Sequence, residues 1–305
     1  MVVESASIQG LVAATYTPMH SDGSINLDPI PEMVDHLVAN QIAGLYVLGS
    51  TGEGPSLTHE ERCRVAEAFV LATAGRIPVI VQVGCESLTQ ARGLAEHAQK
   101  VGADGISAVS PVYFKPDSVD SLVASMDEIA KGARNLPFYY YHIPTVTGVS
   151  GSALDFLKIA SERISNLRGI KFTSSSVFEY QACVEFAPER FEILWGFDEM
   201  LMSGLAAGGL GAVGSTYNYA APVYQKLLAA WHDGDIEEAR RQQSRSQELV
   251  RTFVRYGARS AQKAIMSLIG FDCGPSRLPV ASLSKLQTEA LRKDLETIGY
   301  FDWIQ

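Results

Sequence analysis

The sequence predicts an α/β chain folded as a (β/α)8, or TIM, barrel with a C-terminal helical extension, on the strength of three observations. Short apolar segments rich in β-formers recur through the first two-thirds, a helical pattern follows each, and the segments count to eight. They span residues 11–17, 44–50, 78–83, 105–109, 138–142, 169–173, 193–196 and 212–215. Most carry apolar residues at consecutive positions, as parallel strands covered on both faces do. The strand–helix alternation argues for βαβ units rather than a sandwich. Eight such units favour a closed barrel over an open doubly wound sheet, and no dinucleotide phosphate fingerprint favours the open one.

The helices carry their own start signals. After the second strand, Thr58-His-Glu-Glu61 is a capping box, opening a helix with Val65, Phe69 and Val70 on one side. After the seventh, Asp198 can cap a helix that begins at Glu199. The eighth helix is expected over about 220–232, and further helical segments over 235–256, 260–269 and 284–298. Residues 270–279 form a Gly/Pro-rich connector. Residues 1–233 therefore read as a catalytic barrel, and 234–305 as a helical extension packed on it.

Bulk properties exclude several functions. The 305 residues are 47% hydrophobic and 19% charged, the balance of a globular protein with a full core. A net charge of −9 repels phosphate backbones, so nucleic acid is not an expected partner. The basic stretch Arg240-Arg241-Gln-Gln-Ser-Arg245 lies on an expected helix and reads as a solvated face. The start MVVESASIQG lacks the basic and apolar regions of a signal peptide, and no apolar stretch is long enough to span a bilayer. The scattered Cys63, Cys85, Cys183 and Cys273 read as reduced thiols of a cytoplasmic protein. With no nucleotide loop and no metal-ligand spacing, neither cofactor nor metal is expected. The chemistry must come from side chains.

In such a barrel the active site lies at the C-terminal ends of the strands. The sixth strand reads Gly169-Ile-Lys-Phe-Thr-Ser174, and alternation puts Lys171 and Thr173 on one face, Ile170 and Phe172 on the other. If the apolar pair faces the helices, Lys171 points into the barrel. Burying an ammonium is costly, so this lysine tends to lose its proton and become a nucleophile. The alternative is a structural ion pair with an inward carboxylate. On the fifth strand, Tyr141 stands near the top on the same face as Tyr139. It is equally consistent with a proton relay and with aromatic core. His142 has the opposite parity and reads as structural. Gly49-Ser-Thr-Gly-Glu53 places Ser50 and Thr51 among glycines, where amide and hydroxyl groups can converge on a carboxylate, although an ordinary βα turn would look the same. The eighth strand ends similarly in Gly214-Ser-Thr-Tyr-Asn218.

Gly49-Ser-Thr-Gly-Glu53, Tyr141-His-Ile-Pro144, Gly169-Ile-Lys171, Gly196-Phe-Asp-Glu199 and Gly211-Ala-Val-Gly-Ser-Thr-Tyr-Asn218 occur in that order. With them the chain resembles the dihydrodipicolinate synthase / N-acetylneuraminate lyase family of class I aldolases, from Gly10 to the region of Pro279. The resemblance implies that Lys171 forms a Schiff base with a 2-keto acid, Tyr141 relays protons, and Ser50 and Thr51 bind the pyruvate carboxylate. It implies that Tyr113 crosses a subunit interface to the relay, in a homotetramer built as a dimer of dimers. The lyase branch is the nearer match, through Tyr-Tyr-His-Ile-Pro and Gly-Ser-Thr-Tyr-Asn-Tyr219. Its sugar-binding positions fall on Thr173, Gly196, Asp198, Glu199 and Ser215. For Asp198 and Glu199 the alternative is local, a helix cap and a first-turn charge. Synthases of the family usually carry an arginine two residues after the proline of the fifth-strand motif, where this chain has Val146. The reaction so implied is cleavage of N-acetylneuraminate to N-acetylmannosamine and pyruvate. The alternatives are another pyruvate-dependent aldolase or synthase of the family and a barrel that binds a keto acid without catalysis.

Overall fold

The computed structural model describes residues 8–305, so most of the segment read for a signal peptide lies outside the described residues. Eight strands close in sequence order into a parallel barrel: β1 (Gly10–Ala14), β2 (Gly44–Val47), β3 (Val79–Gln82), β4 (Gly105–Val109), β5 (Phe138–His142), β6 (Leu167–Phe172), β7 (Glu192–Trp195) and β8 (Gly211–Gly214). β4 and β5 have the expected bounds. β2 stops three residues early because Leu48 adopts a left-handed conformation, φ 65°, which turns Gly49 and Ser50 out of the strand direction. A branched residue holds such a φ only where its surroundings impose it, typically beside a site.

Strand parity sorts the core into two. Val12, Ala14, Tyr46, Ile80, Tyr139, Tyr141, Leu194 and Val213 fill the barrel interior. The intervening residues, among them Leu45, Val47, Tyr140, Ile170, Phe172 and Trp195, join the layer between sheet and helices. Ile170 and Phe172 thus face the helices, as expected, which turns Lys171 inward.

The helices of the outer ring are α1 (Ile30–Ala39), α2 (His59–Thr73), α3 (Leu88–Val101), α4 (Val119–Ala130), α5 (Pro144–Thr147), α6 (Ala153–Arg163), α7 (Val177–Glu185), α8 (Leu201–Ala206) and α9 (Tyr217–His232). The Thr58–Glu61 capping box forms on α2 as read from sequence. α9 starts three residues earlier than expected, with a kink at Ala220, because Pro222 supplies no N–H to continue the ladder across that turn.

Beyond the barrel lie α10 (Ile236–Val254), α11 (Ala258–Leu268), α12 (Lys285–Thr297) and the unanticipated short α13 (Tyr300–Trp303). These helices are tied to the barrel by polar contacts. Tyr300 donates to the Tyr219 carbonyl at 2.7 Å, and Gln243 and Gln247 of α10 donate to the Asp198 and Glu199 carbonyls at 3.3 and 3.1 Å. In the connector, Arg277 forks onto Glu61, with nitrogen–oxygen distances of 2.5 and 2.7 Å, and holds that carboxyl down to about 2. Among the described residues no helix is long and apolar enough to cross a membrane.

Candidate active site

Lys171 is buried in the barrel, paired in register with Tyr141 on β5 and Leu194 on β7. Its Nζ lies 3.9 Å from the ring centre of Tyr46 and 4.1 Å from that of Tyr141. No carboxylate among the described residues forms an ion pair with it. Burial pushes its amine below the ordinary lysine range; the Tyr141 hydroxyl and the Asp198 charge oppose that shift. An amine held toward neutrality keeps its lone pair for attack on a carbonyl carbon.

The partners of this lysine divide into foreseen and unforeseen. Tyr141 stands against it, edge-on to Tyr46 with centroids 5.8 Å apart. Tyr46 was not singled out from sequence, although its inward parity on β2 was the available signal; its hydroxyl lies 3.0 Å from Ser107 Oγ. His142 packs outward against Tyr140 and Phe172, and burial lowers its imidazole pKa. Tyr139 donates to Glu192 at 2.8 Å near the N-terminal end of the barrel, in a network with Arg168 that engages both Glu192 oxygens. That end is occupied by structural pairing.

At the other end, a cavity of about 390 Å³ is lined by Tyr16, Ser50, Thr51, Ile143, Phe197 and the first turns of α11. Ser50 and Thr51 are half-buried, and their amides donate to no other described residue. Glu53, the last residue of that motif, is committed elsewhere. It pairs with Lys263 at 2.8 Å and accepts the Arg277 amide at 2.9 Å.

Thr173 follows Lys171 on the same face, and its Oγ1 is buried with no hydrogen-bond partner among the described residues. Gly196 crosses directly over it, where a Cβ would overlap that oxygen. Asp198 does not cap a helix. Phe197 precedes a single 3-10 turn, Asp198–Met200, without any side-chain cap, and the Asp198 carboxylate turns to β8 instead. Its Oδ2 accepts the Thr216 amide at 2.7 Å and the Thr216 hydroxyl at 2.6 Å. The close passage of β8 requires Gly214, since a Cβ there would overlap Asp198 Oδ1. Burial, with the Glu199 charge second, pushes the Asp198 carboxyl up to about 6. Glu199 and Ser215 flank it, both half-buried. Tyr113 is 80% exposed beside Phe114, on a loop whose Val112 and Tyr113 amides donate to Glu86 at 2.9 and 3.1 Å. It projects from the surface, unlike the buried lysine and its two phenols.

Among the described residues no group of three or more His, Cys, Asp or Glu side chains is placed to hold a metal ion. Comparison with known proteins places this architecture. Residues 7–298 match the model of the dihydrodipicolinate synthetase family. N-acetylneuraminate lyase A of Xenopus laevis is 42% identical, over 97% of this chain and 100% of that protein. The N-acetylneuraminate lyase of Proteus mirabilis superposes with a TM-score of 0.94 at 37% identity, covering 97% and 100% of the two chains. That of Aliivibrio salmonicida, also described as a sialic acid aldolase, gives 0.94 at 36% identity over 97% and 98%.

Proposed function

The chain belongs to the dihydrodipicolinate synthetase family, and from that premise we propose that it is a carbon–carbon lyase that cleaves N-acetylneuraminate to N-acetylmannosamine and pyruvate. The observation that carries the reading is Lys171, a lysine buried in the barrel, in no ion pair among the described residues and faced by two phenols.

Neutral Lys171 attacks C2 of the open-chain keto acid, and the carbinolamine loses water to give an iminium. That cation accepts the electron pair released when the C3–C4 bond breaks. Tyr141 takes the proton from the C4 hydroxyl; acid–base help of this kind is worth about 10²–10⁴-fold. The resulting enamine is protonated at C3 and hydrolysed, releasing pyruvate and the lysine. Ser50 and Thr51 hold the carboxylate through hydroxyl and amide groups at the end of β2. Thr173, Gly196, Asp198, Glu199 and Ser215 bind the sugar. The Thr173 hydroxyl and Asp198 Oδ1, neither hydrogen-bonded among the described residues, support that assignment. Tyr113 acts on the relay of a neighbouring subunit in a cytoplasmic homotetramer, a role consistent with its exposure. Residues 234–305 serve as an extension bracing the mouth of the catalytic barrel. Val146 offers no charge to a second substrate carboxylate, which disfavours the synthase reaction.

Incubation with pyruvate and borohydride should add a reduced three-carbon adduct to the peptide containing Lys171. Chromatography should then show pyruvate release from sialic acids ahead of other sugar keto acids. An adduct on another lysine would overturn the mechanism. Efficient condensation of pyruvate with aspartate semialdehyde, with sialic acids untouched, would replace the lyase by a synthase.

A further inference from the structure

One face of α11 closes over the mouth cavity, and three of its residues at i, i+3 and i+4 spacing define that face: Arg259, Gln262 and Lys263. Two of the three are pinned. Gln262 accepts from Tyr16 OH, beyond β1, at 2.6 Å, and Lys263 pairs with Glu53, beyond β2, at 2.8 Å. The helix is thereby held in register over the Ser50–Thr51 loop. The third residue, Arg259, is exposed, lines the cavity and makes no ion pair or hydrogen bond among the described residues.

The charge balance gives this arginine a task. A 2-keto acid reaches the site as an anion, while the chain as a whole carries −9. Asp198 and Glu199 add two carboxylates at the end of β7. Of the two cations lining the cavity, Lys263 is neutralised by Glu53. Lys171 must be neutral to react. Among the described residues Arg259 is the one uncompensated positive charge lining that approach, and a cleft with low-dielectric walls focuses its field outward.

We propose that Arg259 is the receiving cation of the site: it captures the carboxylate of the incoming 2-keto acid at the mouth and speeds its delivery to Ser50 and Thr51. The inference rests on the aldolase function proposed above and adds to it a residue specific to capture rather than to chemistry. Arg259 stands on the surface, so its replacement leaves the fold intact, and a rim charge acts on encounter rate and salt dependence.

The test compares Arg259→Gln and Arg259→Glu with Arg240→Gln. Arg240 is an exposed arginine on α10, away from the mouth, whose loss changes net charge equally. The readouts are borohydride trapping of pyruvate over a range of ionic strength and steady-state cleavage of N-acetylneuraminate. Arg259→Gln should slow second-order imine formation about three- to tenfold at low salt, and Arg259→Glu more. The gap should close as salt screens the charge, and kcat should stay within about twofold. Arg240→Gln should match the wild type throughout. Rates and salt slopes unaffected by either Arg259 variant would overturn the proposal alone. So would a fall in kcat with KM unchanged. The absence of any adduct in the wild type would instead bring down the aldolase function and this proposal with it.

Discussion

Lys171 and Lys263 are both buried, at 5% and 3% exposure, yet they occupy opposite electrostatic settings. Lys263, on α11, meets the Glu53 carboxylate at 2.8 Å and donates to the Pro275 carbonyl at 2.8 Å. Its charge is matched, and the pair ties the extension to the loop after β2. Lys171, on β6, has aromatic rings where Lys263 has oxygens. Burial alone therefore does not make a lysine reactive; what decides is whether a carboxylate sits in direct contact with it. A paired ammonium is structure, whereas an unpaired one costs the folded state and tends toward the neutral nucleophile.

The comparison predicts opposite outcomes for the same substitution. Lys171→Met should lower kcat by at least about 10⁴-fold, since it removes the amine that forms the imine. It should also raise Tm by a few degrees at neutral pH. The sign follows from the lowered pKa: the cost of the buried charge is largest below the folded-state pKa and vanishes as pH rises through the ordinary lysine range. The stabilisation measured by calorimetry should therefore shrink toward alkaline pH. A destabilised Lys171→Met protein would mean that the amine is compensated after all.

Lys263→Met should do the reverse. It strands the Glu53 carboxylate in the interior, a loss of about 3–5 kcal/mol in denaturant unfolding. The remaining folded fraction should still trap pyruvate on Lys171. Adding Glu53→Gln removes the stranded charge and should recover much of the stability. If the single and double variants are equally unstable, the ion pair is not the reason Lys263 is buried.

The smallest change sharpens the contrast from the side of the phenols. Tyr141→Phe keeps the ring against Lys171 and removes only the hydroxyl. The unfolding midpoint should stay near that of the wild type while kcat falls by about two decades. A near-normal kcat would return Tyr141 to the role that Tyr139 has, a ring in the barrel core.

Much of this is legible in the sequence. The eight strands appear as apolar runs because parallel strands are covered on both faces. Lys171 stands out because it breaks such a run, and period-two alternation turns it inward once Ile170 and Phe172 face the helices. The capping box on α2 was readable because its two partners are three residues apart. The misread signals were those whose partners are distant. Asp198 has the local signature of a helix cap, but its Oδ2 accepts from Thr216, 18 residues on. Glu53 looked like part of an anion-binding turn, and its carboxylate answers a lysine 210 positions away. Tyr46 carried the right parity but no local oddity to mark it.

The sequence by itself determined the periodicities, the order of the elements and the parity of each strand, because these depend on residues within a few positions of one another. It therefore determined the barrel and the inward lysine. Only the tertiary structure decided which charges are matched, where β2 turns at Leu48, and that α11 lays Arg259 over the mouth. A buried charge is governed by what lies within a few ångströms, and barrel closure brings together groups that the chain keeps hundreds of residues apart.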